Sequence, residues 1–399
     1  MNSPNATLST VTAKLRNAPR RPAGVRSGCL SSLAAGLVVV LAVSTARADG
    51  SGDSNGDGRV DAADFAALAG CMLGPGAGVS AGCDAFDFDG DVDVDLSDLV
   101  EFQIVFGGSV GVVIETVLVG NPGNPADAQR DGSFGSVSYV YRMGKYEVTA
   151  GQYAAFLNAV AAADSYGLYN LQMWTHAEGC KIERSGSPGS YAYSVAPDWA
   201  NRPVNFVSFG DALRFANWLH NGQPGGAQDL NTTEDGSYLL DGRWTDEQLQ
   251  GVIRKPDATW VVPSEDEWYK AAYHANDGVT GNYFNYPMGV DVGISNDLTD
   301  PDPGAHATYF RTPNDFTIGA PYYRTEVGAH ENSASPYGTL DQGGNVVEWN
   351  ESIPLFNGRG LRGGAYLWGS DLLARWVRPI EYHSSDEFSD IGFRIGRAR

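Results

Sequence analysis

Cations, thiols and long apolar runs are scarce in this chain, and each scarcity excludes a class of function. Lys and Arg number 27 against 48 Asp and Glu, a formal net charge of −21. Binding to nucleic acid by phosphate neutralisation needs cations in excess, so no nucleic-acid partner is expected. An acidic surface or a set of calcium loops fits that balance better. Past the N-terminal region no stretch reaches the roughly 20 apolar residues of a membrane helix, so no membrane association is expected after processing. Only four of the 399 residues are Cys, and none follows Cys180. What is present in quantity is core material, 42% hydrophobic residues with nine Trp, enough for more than one folded domain.

The N-terminus carries Lys14, Arg16, Arg20, Arg21 and Arg26, then an apolar run from Leu33 to Val43, then Ala46-Arg47-Ala48. A basic region, a short apolar stretch and a small-x-small site predict a signal peptide over 1–48, cleaved after Ala48. The destination is then secreted, periplasmic or cell-surface; the other reading of the run is an N-terminal membrane anchor. Cys29 leaves with the signal. Cys71 and Cys83 lie close together and are expected to pair as a disulfide in an oxidising compartment. Cys180 is left over, as a reactive thiol or as a small buried hydrophobe.

Composition then shifts to Asp and Gly. Asp53, Asn55, Asp57, Asp61 and Asp64 occupy positions 1, 3, 5, 9 and 12 of a calcium loop, with Gly58 at 6 and the carbonyl of Arg59 at 7. A second copy runs through Asp87, Asp89, Asp91, Asp93, Asp95 and Asp98, with Val92 where glycine is expected. Apolar residues at helical spacing follow each loop. These two half-loops resemble the type I dockerin module, over about 49–108. The resemblance implies a small α domain that binds calcium and docks on a cohesin-type partner; a calcium-stabilised spacer without such a partner is the other reading. Gly107-Gly108-Ser109 marks a hinge, with a linker over 109–117.

From Val112 the chain is rich in aromatics, Asn, Gly and Pro. Ser138 to Tyr146 alternates as a strand does. Capping boxes at Thr149/Gln152 and Ser264/Glu267, and Ser208 with Asp211 three residues on, predict three short helices. Between them lie long irregular stretches, notably Thr280 to Tyr337, of a length that metal ions or function usually hold in place.

Six ordered motifs carry a second resemblance: Gly144-Lys145-Tyr146-Glu147-Val148-Thr149, Arg202-Pro203-Val204-Asn205, Val262-Pro263-Ser264-Glu265-Asp266-Glu267-Trp268, Gly344-Asn345-Val346-Val347-Glu348-Trp349, Arg362-Gly363-Gly364 and Gly392-Phe393-Arg394. Residues 118–399 are thereby similar to the formylglycine-generating enzyme, or sulfatase-modifying factor, family. The resemblance implies an α+β, loop-rich fold related to C-type lectins, with bound calcium. It also implies oxidation of a substrate cysteine by copper held on two cysteines just past the Gly-Gly motif. Here those positions hold Trp368 and Leu373, and apolar groups cannot replace the thiolates that select Cu(I), so no copper is expected. The family's calcium ligands carry over to Asp341, the carbonyls of Gly344 and Val346, and Glu348; the alternative for Glu348 is a pair with an arginine such as Arg394. Near the former reaction centre, Trp368, Arg375, Trp376, Arg378 and His383 suggest a pocket for a glycan or peptide, unless the tryptophans are core and the arginines surface. A histidine-carboxylate iron site finds no support in the spacing of His176, His220, His274, His306 and His330. The expected protein is an exported, calcium-stabilised binding protein without oxidase activity; the rival is an enzyme with retained or altered activity, of the formylglycine-generating type or within a polysaccharide-degrading assembly.

Overall fold

The computed structural model describes residues 62–80, 82–88, 93–105, 112–312, 315–353, 358–379 and 382–398. The signal peptide, the ligands Asp53, Asn55, Asp57, Arg59, Asp61, Asp89 and Asp91, and the hinge before residue 112 lie outside the described residues.

The N-terminal segment holds helices α1 (Ala62–Cys71) and α2 (Leu96–Val105) with a 3-10 turn at Asp84–Phe86 between them. Its core is Leu68, Cys71, Cys83, Phe86, Val94 and Phe102. The Phe102 ring is ringed by Phe65, Phe86 and Phe88 at centroid distances of 6.3, 5.6 and 6.2 Å. Cys71 and Cys83 form a disulfide with Cα atoms 5.7 Å apart, closing the segment between the helices. In the second loop, one carboxylate oxygen from each of Asp93, Asp95 and Asp98 lies within 4.8 Å of the others. Asp98 accepts the Phe88 N–H at 2.7 Å and the Asp95 N–H at 2.8 Å, which ties the loop's last acidic residue back to its start. Asp64 and Asp87 are buried.

The rest of the chain mixes short helices and short strands, an α+β arrangement. Strands β1 (Thr116–Val119), β2 (Asp127–Gln129), β3 (Gly132–Phe134) and β4 (Tyr141–Gly144) come first, then helices α3 (Ala150–Val160) and α4 (Gln172–Thr175). The hairpin of β5 (Ile182–Ser185) and β6 (Ala192–Val195) follows, with α5 (Phe209–His220), α6 (Asp246–Gln250), β7 (Trp260–Val261) and α7 (Glu265–Tyr273). Strands β8 (Val347–Asn350), β9 (Gly360–Arg362), β10 (Ile391–Gly392) and β11 (Gly396–Arg397) complete it. An antiparallel sheet in the order β1-β4-β11-β7 joins the start and end of this region, and β8 is sandwiched between parallel β10 and antiparallel β9. No helix among the described residues is long and apolar enough to cross a membrane.

The three helices expected from capping form where their caps are. Thr149 Oγ1 accepts from the Gln152 amide at 3.2 Å while Gln152 Oε1 accepts from the Thr149 amide at 3.0 Å, and the same reciprocal pairs hold at Ser208/Asp211 and Ser264/Glu267. Each satisfies two amides that a helix start leaves without partners. Tyr153 and Phe156 of α3 then meet Phe215 and Trp218 of α5, with Phe156 and Phe215 edge to face at 5.3 Å. Helix α5 is buried almost all round, and its one interior cation, Arg214, is neutralised by a bidentate bond to Glu234 at 2.7 and 3.0 Å. The alternating stretch at Ser138 to Tyr146 holds a strand shorter than its pattern, Tyr141–Gly144, and the Tyr139 and Tyr141 hydroxyls donate to the Glu267 side chain and carbonyl at the start of α7.

Candidate functional site

Arg394 is the point at which the sequence motifs meet. Its guanidinium is fully buried and gripped by Glu348, Nε to Oε2 at 2.6 Å and Nη2 to Oε1 at 2.6 Å. Its remaining donors reach the Gly144 carbonyl at 3.0 Å and the Leu340 carbonyl at 3.0 Å. The Trp268 indole donates to Glu348 at 2.7 Å. One bonded knot thus joins four of the six motifs. A fifth enters through Arg362, whose guanidinium holds Glu265 beside Trp268 at 2.7 and 2.9 Å. A buried charge needs this many partners to remain charged, which explains why polar residues sit in the middle of so apolar a region.

The loop from Asp341 to Glu348 is built on left-handed backbone. Asp341 and Asn345 have φ of 61° and 56°, and Gly344 has φ +94° with the Thr308 backbone packed where a Cβ would stand. Asp341 Oδ2 accepts the Gly328 amide at 2.6 Å, and burial raises its pKa to about 6. Beside it lies Glu147, buried, with neither carboxylate oxygen hydrogen-bonded among the described residues. Burial and then the neighbouring Asp341 push the Glu147 pKa well above the carboxylate range. Of the four calcium ligands carried over by resemblance, Glu348 is therefore engaged by Arg394 and Trp268. The oxygens seeking a cation or a proton are those of Glu147, which the motif Gly144-Lys145-Tyr146-Glu147 contained but the sequence reading did not single out. Asp341, Glu147 and nearby carbonyls are a hard-oxygen set of the kind calcium takes.

The positions implied for copper ligands carry other chemistry. Trp368 donates its indole N–H to Asp390 at 2.9 Å, and Leu373 is wholly buried in a core with Met288, Ala307 and Tyr309. Cys180, the free cysteine, is buried, its sulfur 4.0 Å from the Asn205 carbonyl, and burial raises its pKa. A thiol kept protonated and out of solvent behaves as a small hydrophobe, so these donors do not fit a Cu(I) centre.

The five residues proposed for a pocket do not converge. Arg378 binds Glu265 at 2.8 and 2.5 Å, and Arg375 binds Asp127 at 2.5 Å and Asn285 at 3.1 Å. Trp376 is half exposed with its ring edge on Tyr286. His383 is exposed, 3.4 Å from Asp246. Trp368 reaches a cavity through its bond to Asp390, which lines one.

That cavity is a cleft of about 460 Å³ lined by Gln172, His176, Phe206, Tyr382, Glu387, Phe388, Ser389 and Asp390. Two of its lining residues, Glu387 and Asp390, are acidic, and a third, Ser389, donates to Glu178 Oε2 at 2.8 Å, as Tyr366 does at 2.7 Å. Burial raises the Asp390 pKa, and burial followed by the charge of Asp211 raises that of Glu387 to about 8. Glu387 thus holds its proton to a higher pH than an ordinary carboxylic acid, and Phe206, Tyr382 and Phe388 line the same cleft. Aromatic faces with hydrogen-bonding carboxyls suit a hydroxyl-rich or amide ligand. The sequence offered little warning of this cleft, since its walls come from α4, the turn after Asn205 and the tail before β10, which no local pattern links.

Residues 124–399 match the sulfatase-modifying factor enzyme 1-like domain, and residues 51–102 match the dockerin type I domain. No curated protein matches the chain. Among solved structures, CarF is 20% identical, with a TM-score of 0.47, covering 72% of this chain and 100% of its own. Treponema denticola variable protein 1 is 18% identical with a TM-score of 0.47, covering 73% of this chain and 98% of its own. PvdO from Pseudomonas aeruginosa is 17% identical with a TM-score of 0.39, over 72% of this chain and 93% of its own.

Proposed function

The chain belongs to the sulfatase-modifying factor enzyme 1-like family and carries a dockerin type I domain ahead of that region, and from this premise we propose that it is an exported, calcium-stabilised binding protein rather than a copper-dependent oxidase. The observation that carries the reading is the pair Trp368 and Leu373, an indole bonded to Asp390 and a core leucine where the family chemistry requires thiolates. The fold retained is the loop-rich, C-type-lectin-like frame, knotted at Arg394 and Glu348. Ligand contact shifts from the arginines, which are spent on Glu265 and Asp127, to the cleft of Phe206, Glu387 and Asp390. The ligand class is a glycan or a peptide: carboxyls accept from hydroxyls or amides, and rings cover the apolar faces.

Calcium is assigned to the dockerin loops, including Asp87, Asp93, Asp95 and Asp98, and to the Asp341 loop with Glu147 as a donor beside the carbonyls of Gly344 and Val346. When bound there it would supply charge compensation for Glu147 and Asp341 and fix the left-handed backbone; it takes part in no reaction. The dockerin domain provides the attachment, to a cohesin-type partner on a cell surface or secreted assembly. The rival, an enzyme of altered activity, has one observation in its favour: Glu387, protonated near neutral pH in an open cleft, has the properties of a general acid.

A single preparation of the mature chain separates these readings. On glycan and peptide arrays the wild type is expected to bind a ligand that Phe206→Ala and Asp390→Ala lose. With Cu(I), oxygen and a cysteine peptide it is expected to form no aldehyde. Aldehyde formation would overturn the binding reading, and so would arrays on which wild type and cleft variants behave alike.

A further inference from the structure

We propose that Asp302, His306 and His330 form a binding site for a divalent transition-metal ion of the Zn²⁺ class, distinct in its nitrogen ligands from the oxygen-only calcium positions. One ligand atom from each of the three lies within 4.8 Å of the others. His306 Nδ1 stands 3.4 Å from Asp302 Oδ1, matching the ~3.4 Å edge between two ligands at Zn²⁺ bond lengths on a tetrahedron. The His306 and His330 rings approach at 6.2 Å and nearly at right angles, so their nitrogens converge without stacking.

Two further observations point to a ligand. His330 is 2% exposed, and its Nδ1, like His306 Nδ1, has no hydrogen-bond partner among the described residues. An imidazole nitrogen left bare in the interior costs free energy unless a proton donor or a metal meets it. Secondly, the hydrogen bonds that do exist are those of an outer shell. His330 Nε2 lies 3.1 Å from Thr308 Oγ1, which is 2.8 Å from Thr325 Oγ1, itself 3.5 Å from Asn345 Oδ1. Read as a chain of donors ending on the Asn345 carbonyl, it places the His330 proton on Nε2 and leaves the Nδ1 lone pair free. Asp302 is held the same way: Oδ2 accepts from the Ser333 hydroxyl at 2.6 Å and the Asn332 amide at 3.1 Å, Oδ1 from the Gly304 amide at 2.9 Å.

Two imidazoles and one carboxylate suit zinc and its neighbours in the first transition row, and are a poor set for calcium, which takes oxygen alone. Both histidines line a cavity of about 10 Å³, shared with Ser333, Ser335, Thr339 and Asp341. That volume holds about one water or one ion and no organic substrate, so the role is structural. It answers the question raised by the irregular stretch from Thr280 to Tyr337, which a metal at this point would pin between residues 302 and 330.

The test strips the mature chain with EDTA, returns it to millimolar calcium so that oxygen sites are filled, and titrates it with Zn²⁺ or Co²⁺. The wild type is expected to retain one equivalent of Zn²⁺ after gel filtration and to give visible Co²⁺ absorption. His330→Ala should lose both, and His306→Gln should weaken binding by at least ~10-fold. If the wild type takes up no Zn²⁺ or Co²⁺ above calcium, or if both variants hold as much as wild type, the assignment is wrong. Should His330→Ala fail to fold, His306→Gln, at the more open histidine, decides the outcome alone.

Discussion

Arg394 and Glu348 meet with both side chains fully buried, so removing either leaves the other's charge without its ion-pair partner in the interior. Arg394→Met is expected to lower the unfolding free energy by about 3–5 kcal/mol in a denaturant titration, with the Arg394→Met/Glu348→Gln pair costing less than the sum of the two single changes. Glu147 tests the opposite situation, a carboxyl without a partner. Glu147→Gln should leave the calcium-free protein as stable as wild type or more so, and should shrink the rise in Tm that calcium produces; an unchanged calcium response would remove Glu147 from the ligand set. Glu387 adds a pH dependence. Its folded-state pKa of about 8 lies above the ordinary 4.5, so the native state keeps a proton that the unfolded state has already lost. The stability it contributes is complete below pH 4.5, falls as pH rises, and is gone above about 8. Between pH 6.5 and 8 the loss should be on the order of 1 kcal/mol, and Glu387→Gln should flatten that part of the profile.

Helices α3, α5 and α7 were legible in the sequence because a capping box is local: donor and acceptor are three residues apart and the apolar face follows at once. Ser208→Ala, which strips the Asp211 amide of its acceptor at the head of the most buried helix, is expected to cost about 1 kcal/mol. Helix α6 carries the same signal, Thr245 with Gln248, but without an apolar face behind it, only Leu249 being buried. The motifs were equally readable, and the arginine alternative for Glu348 lay within reach because Arg394 stood in a motif of its own. Pairings across long separations were not readable. Asp302, His306 and His330 are spread over residues 302–330 of irregular chain, so no period announces them, and the histidines gain meaning only once the Thr308–Gly344 bridge brings that stretch against the Asp341 loop. The cleft is of the same kind. The segment just after the Gly-Gly motif suggests a pocket by its arginines and tryptophans, but Arg375 and Arg378 pair with Asp127 and Glu265.

At the scale of the whole molecule the described residues hold cores of very different size. The C-terminal region buries dozens of side chains in one connected cluster, whereas the N-terminal helices share only six buried residues around Phe102. A core that small does not fold alone without a staple or a metal. It has the Cys71–Cys83 bridge, twelve residues apart, worth about 3 kcal/mol by loop closure, and the loop in which one carboxylate oxygen each of Asp93, Asp95 and Asp98 lies within 4.8 Å of the others, a crowding that a bound cation would offset. Two melting transitions are therefore expected by calorimetry in calcium. Reductant should depress the lower one and leave the upper in place, since Cys180 forms no bridge and lies buried in the larger core. Calcium removal added to reductant should abolish the lower transition. The upper should then drop only by what calcium contributes at Asp341 and Glu147, and that drop should be absent in Glu147→Gln. One transition that moves as a unit under reductant would mean that the small core draws its stability from the large one, and the bridge would then be a spacer's brace rather than the source of an independently folded docking domain.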